Sequence, residues 1–138
     1  MGYLGYAVLG LFAYSLVAPL VKLGIKEVPV EAAVVITNSI LLVFTIVWAA
    51  IRHKNVLNYI SFQKHSIYLY MAGLALGIGI VSYYMALSSG EVSRVVPIFG
   101  LYLALSSVFG FFLLGEAITV TKALGLGLAV LSIVLVSW

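Results

Sequence analysis

The sequence predicts an all-α integral membrane protein with five transmembrane helices, organised as one domain over residues 1–138. Three observations carry that expectation. Of the 138 residues, 64% are hydrophobic and only 8% are charged, the mean hydropathy is +1.25, and the apolar residues gather into five long runs with most of the charges between them. An average soluble domain carries charge on roughly a quarter of its residues. A water-soluble chain this short would also need polar side chains to cover a surface that is large for its volume. Lipid removes that requirement.

Crossing about 30 Å of hydrocarbon takes about 20 mostly apolar helical residues. The first run that meets this length is Tyr3 to Val21, closed by Lys22, Lys26, Glu27 and Pro29. Val30 to Ile51 is the second, and the polar stretch from Arg52 to His65 is the one substantial loop. The third runs from Ser66 to Leu87, and Ser88 to Glu91 joins it to the fourth, Val92 to Leu114. Gly115 and Glu116 then lead into the fifth, Ala117 to Trp138. Connections this short make neighbouring helices antiparallel. Tyr3, Tyr6, Trp48, Tyr68, Tyr70 and Trp138 fall near the ends of spans, where an amphipathic ring sits at headgroup depth. Within the loop, Val56 to His65 mixes apolar and polar residues, a pattern open to a short interfacial turn or to a plain connection.

Several function classes are disfavoured at this stage. There is no cysteine, hence no disulfide, thiol nucleophile or thiolate metal site. The seven basic residues are scattered at the ends of apolar runs and form no stripe, so the net charge of +3 does not point to nucleic acid. Catalysis needs acids, bases or nucleophiles gathered within hydrogen-bond reach. The four acidic residues, Glu27, Glu31, Glu91 and Glu116, instead lie at helix ends, and His53 and His65 lie in the loop. An enzyme, a metal site and a cofactor are not expected. The first apolar run lacks a basic leader and a small-residue cleavage pattern, and is expected to be retained as a span rather than removed as a signal peptide.

Orientation follows the distribution of Lys and Arg. With five spans, Arg52, Lys54, Lys64 and Lys122 share the N-terminal side and Lys22, Lys26 and Arg94 the other. Four against three is nearly balanced, which permits insertion in both directions, while the cluster from Arg52 to Lys64 favours a cytoplasmic N-terminus.

The spans hold no mid-membrane carboxylate, so proton coupling through a buried acid is disfavoured. Their polar groups are neutral: Tyr14 and Ser15; Thr37, Asn38 and Ser39; Ser82, Tyr83, Tyr84, Ser88 and Ser89; Tyr102, Ser106 and Ser107. Serine and threonine can return a hydrogen bond to their own helix. An asparagine in hydrocarbon must find partners across helices or in a wet cavity, and Asn38 is open to both. Tyr83 and Tyr84 are adjacent and cannot share one face. Arg94 can snorkel to the headgroups or attract an anionic solute. Pro19 and Pro97 remove backbone donors and can kink their helices, which suits a gate. Gly73, Gly77 and Gly79, with Gly125 and Gly127, are expected to allow close helix packing rather than to bind a nucleotide.

The C-terminal half carries a more specific pattern. YYMALSSGEVSRVVPI from Tyr83 to Ile98, FLLGEAIT from Phe112 to Thr119, and GLGLAVLSIVLV from Gly125 to Val136 together resemble the EamA-type domain of the drug/metabolite transporter superfamily. The shared features are the small-residue turn from Ser88 to Ser93, Pro97 near the start of the fourth span, the Gly115–Glu116 pair that closes it, and a glycine-rich fifth span. The match is looser before Gly73, and Thr37 and Asn38 stand where many members carry an arginine.

That resemblance implies half of a ten-helix inverted-repeat fold, completed by a second unit of opposite orientation. Inverted repeats build the substrate site near the midplane at their interface. The expected partners are therefore membrane lipids, a small-molecule substrate and a second copy, in a homodimer that is antiparallel if insertion is dual. The resemblance nominates Tyr14, Tyr83, Tyr84, Ser88, Arg94 and Tyr102 as substrate-binding residues; Asn38 is a further candidate through its carboxamide, and Glu116 is expected to cap the fifth helix, its carboxylate near the positive end of the dipole. The expected activity is alternating-access export or exchange of small polar metabolites such as amino acids, in a prokaryotic plasma membrane. The alternatives are a small-multidrug-resistance-like exporter of lipophilic cations and a non-transporting subunit that pairs with another membrane protein.

Overall fold

In the computed structural model, residues 2–54, 56–60 and 66–137 are described. Lys64 and His65 of the loop and Trp138 of the last span lie outside them, and so does the whole second half, 61–65, of the expected interfacial turn. The described residues form helices α1 (Tyr3–Ser15), α2 (Val17–Gly24), α3 (Val30–Ile51), α4 (Ser66–Ser89), α5 (Val92–Leu114) and α6 (Val120–Ser137), with a 3-10 turn at Val56–Tyr59. Tyr3–Gly24, α3, α4 and α5 are each long and apolar enough to span, and Val120–Val136 is a shorter apolar helix. Five helical segments therefore match the five expected spans, and the protein is an all-helical integral membrane protein.

The first span is interrupted at Leu16. Pro19 has no N–H to offer the carbonyl four residues back, that of Ser15, and its ring crowds that carbonyl. The break falls where α1 ends. Pro97 behaves differently: α5 runs through it without interruption, although the Ser93 carbonyl loses its intrahelical donor.

Two boundaries differ from expectation for identifiable reasons. The first span continues past Val21 to Gly24, because Lys22 does not end it; its ammonium reaches the Leu87 carbonyl near the C-terminus of α4. The fifth helix starts at Val120 rather than Ala117. Gly115 takes the left-handed conformation, φ 66°, which glycine adopts without steric cost. The chain then stays non-helical through Thr119, whose Oγ1 accepts the Lys122 amide proton at 3.2 Å. Threonine is thus the N-cap of α6, and Glu116, expected to cap it, does not.

The fully buried core is small. Ala18, Val21, Tyr84, Leu87 and Ala104 are buried, while most large apolar side chains on every span are exposed. Apolar residues around a whole helix are the mark of a lipid-facing segment rather than of an amphipathic soluble one.

The chain divides into two compact units, Leu20–Ser88 and Met1–Pro19 with Ser89–Trp138. In the second of these α5 and α6 pack closely. Half-buried or buried positions on α5 recur at Pro97, Gly100, Ala104, Ser107 and Phe111, one stripe of a 3.6-residue period. Leu126 and Ile133 are the half-buried positions of α6, and Ile133 reaches the space left by the missing side chain of Gly100. Small residues let helix backbones approach in a membrane, where dispersion and hydrogen bonds replace the hydrophobic drive.

Candidate functional site

In the unit Leu20–Ser88, a polar cluster joins three helices near one end. Thr37 Oγ1 lies 2.9 Å from the Ala33 carbonyl and 2.8 Å from the Tyr84 hydroxyl. A threonine has one proton, and returning it to the helix leaves Oγ1 free to accept, so Tyr84 is the donor. Tyr84 is 1% exposed and Leu87, one turn further on, is 0% exposed. Lys22, half-buried, donates to the Leu87 carbonyl, one of the last carbonyls of α4, which lack intrahelical donors.

Asn38 stands beside this cluster, half-buried, with its Nδ2 bonded to the Val34 carbonyl at 2.8 Å. Its side-chain oxygen has no partner among the described residues. Tyr83, half-buried, packs its ring edge-on to Tyr84 at 6.4 Å. Ser88 Oγ bonds back to the Met85 carbonyl at 2.7 Å. Four nominated residues, Asn38, Tyr83, Tyr84 and Ser88, therefore belong to this unit. Tyr84 is engaged in a helix-to-helix bond, whereas Asn38 keeps an open acceptor.

The other unit holds Tyr14, Arg94, Tyr102, Pro19 and Pro97. Tyr14 is 75% exposed, and its hydroxyl has no partner among the described residues. Counted along Tyr3–Gly24 it is central to its span, at hydrocarbon depth rather than headgroup depth. Tyr102 is 48% exposed and rests on Phe99, one turn earlier, at 5.2 Å between rings. Arg94 pairs loosely with Glu91 at 3.7 Å on an exposed turn.

The same unit contains a groove of about 700 Å³ between α5 and α6, which Ser106, Ser107, Gly110, Glu116, Lys122 and Gly125 line together with leucines and Phe111. The Glu116 carboxylate folds back onto α5, 3.5 Å from where a Cβ on Gly110 would stand. Three features escaped the sequence: Lys22 as a bond donor to α4, Thr119 as the cap, and Glu116 inside a groove. Thr119 had a signal, since a threonine immediately before a helical run is a common N-cap pattern. Lys22 and Glu116 had none, because their positions depend on tertiary contacts.

Apolar helices of spanning length that carry neutral polar groups define a polytopic membrane protein. The chain belongs to the EamA-like transporter family, whose model matches residues 1–138. It is a multi-pass membrane transporter of the drug/metabolite type. An uncharacterized transporter encoded in the cobO 3′ region of a Sinorhizobium species is similar to it, 29% identical over 128 residues that cover 87% of this chain and 85% of the relative. No solved structure matches the chain.

Proposed function

We propose that this protein exports or exchanges small polar metabolites, amino acids among them, across a prokaryotic plasma membrane, working as one five-helix domain that pairs with a second copy. The observation that carries the proposal is the pair of unpartnered polar groups far from the span ends, the Asn38 side-chain oxygen and the Tyr14 hydroxyl. A polar group left without a hydrogen bond in hydrocarbon costs several kcal/mol. A wet solute path removes that cost. In this reading Tyr83, Ser88, Tyr102 and Arg94 also meet solute, Pro19 and Pro97 are the points where a missing backbone bond lets a span flex, and Tyr84 holds α4, which carries Tyr83 and Ser88.

Pairing is supported by the balance of basic charge. The Lys and Arg count, four on one side and three on the other, is balanced enough to allow opposite insertion, and opposed copies recreate an inverted repeat around a midplane site.

The test is flux in proteoliposomes. Uptake of neutral or acidic amino acids, reduced by Asn38→Leu and Tyr14→Phe at unchanged thermal stability, is the expected result. Flux restricted to lipophilic cations driven by a pH gradient would replace this reading with multidrug export, and absence of any flux beside a stable foreign partner would make the chain a supporting subunit. Because the chain has no native cysteine, single-cysteine variants at opposite span ends report orientation cleanly. Cross-links joining opposite ends of two copies are expected for the antiparallel pair.

A further inference from the structure

The groove between α5 and α6 has a feature that a gap between helices does not need. Glu116 and Lys122 both line it, yet they form no ion pair with each other. Lys122 Nζ donates instead to the Ala117 carbonyl at 3.2 Å. Glu116 lies over Gly110 and has no hydrogen bond or ion pair among the described residues. Opposite charges that share a groove without touching leave room for a ligand carrying both signs. From this charged end the groove follows α5 back to Leu103. Eleven residues at about 1.5 Å each make roughly 16 Å, about half of a 30 Å hydrocarbon layer. Its deeper wall is mostly apolar, and the Ser107 hydroxyl is returned to the Leu103 carbonyl at 3.0 Å.

We infer that this groove binds a zwitterionic phospholipid, the headgroup ammonium on Glu116, the phosphate on Lys122 and an acyl chain along α5 toward Leu103. Charge complementarity selects the headgroup. A phospholipid without a cation leaves Glu116 unpaired, and a lipid without an anion leaves Lys122 so. The charges lie at the helix ends, where headgroups reside, and the groove then runs inward along the direction of an acyl chain. A water-soluble zwitterion could meet the two charges but would leave the apolar length empty. The Glu116 carboxylate lies against the open position at Gly110, 3.5 Å from where a Cβ would stand, so that alanine would fit there and a branched side chain such as leucine would displace it.

The experiment uses the full chain, extracted in mild detergent from vesicles of equal phosphatidylethanolamine and phosphatidylglycerol with identical acyl chains, and counts retained lipid by native mass spectrometry. Wild type is expected to retain phosphatidylethanolamine in preference. Glu116→Gln and Lys122→Gln should each reduce that preference on the order of twofold to fivefold, the range of one partly exposed charge pair. Gly110→Leu should abolish it by filling the seat, and Lys26→Gln should leave it unchanged. Equal retention of the two lipids by wild type, or an unchanged preference in both charge variants, would overturn the inference. So would displacement of the lipid by millimolar glycine, which would assign the groove to a soluble solute.

Discussion

The hairpin of α3 and α4 and the hairpin of α5 and α6 are built from helices of similar length and similar apolar character, yet they are held in different ways. In the second, Gly100 leaves room for Ile133, Ala104 is buried, and the two helices come into close backbone contact. In the first, backbone contact is sparse, and a long side chain bridges the gap: Tyr84 spans from α4 to Thr37 on α3. Burial is concentrated in the N-terminal half of α3 and the C-terminal half of α4, while the halves toward the loop are exposed except at Ala49 and Ser66. Close packing by small residues gives a rigid pair. A tyrosine bridge ties the first pair at one end only.

The largest expected effect comes from removing the bridge as a whole. Tyr84→Ala deletes a buried aromatic ring as well as its hydrogen bond and should destabilise the protein by about 3–5 kcal/mol, the cost of such truncations in packed cores. Thermal unfolding in detergent measures it, and a loss near zero would mean that α3 and α4 are not held through Tyr84. Next comes the close-packed pair. Gly100→Leu must push Ile133 aside and should cost about 1–3 kcal/mol. Gly100→Ala should be tolerated, because its Cβ would meet only Ile133 Cδ1 at 4.0 Å, an ordinary contact. If both substitutions were equally tolerated, α5 and α6 would be farther apart than described here. Thr119→Ala removes the cap bond of α6 and should cost about 1 kcal/mol.

The contrast between the hairpins also marks what the sequence could and could not reveal. Spans were legible because hydrocarbon length demands a run of apolar residues, and α3 and α5 begin and end where Pro29, Arg52, Glu91 and Gly115 indicated. Faces were not legible. A helix that is apolar all round has no moment to orient it, so nothing in the sequence distinguished Tyr84 from Tyr83; one is buried and bonded to Thr37, and its neighbour is half-buried. Charged residues misled at two ends for a related reason. Lys22 and Glu116 mark boundaries in a linear reading, but Lys22 stays within the first span by reaching the Leu87 carbonyl, and Glu116 folds back over Gly110. Of the candidate site, the residue types were readable and their partners were not.

A finer test of the tyrosine bridge separates its hydrogen bond from its packing. Tyr84→Phe keeps the ring, and Thr37→Val removes the acceptor, so the double-mutant cycle isolates the bond. Hydrogen bonds between membrane helices average about 0.6 kcal/mol, and that is the coupling expected here. Coupling near zero would assign the bridge to ring packing alone.

The smallest stability effect belongs to Arg94, and its value lies in what it does to selectivity. Its contact with Glu91 is 3.7 Å long and both side chains are largely exposed, the kind of pair that contributes little to stability. Arg94→Ala should therefore leave the unfolding temperature nearly unchanged. If the guanidinium attracts the anionic group of a passing solute, the same substitution lowers the flux of acidic amino acids more than that of neutral ones, and raising the salt concentration narrows the difference by screening the exposed charge. Equal loss for both solutes would place Arg94 with Tyr84, as a residue that holds the helix, and would leave Asn38 and Tyr14 as the groups that meet the solute.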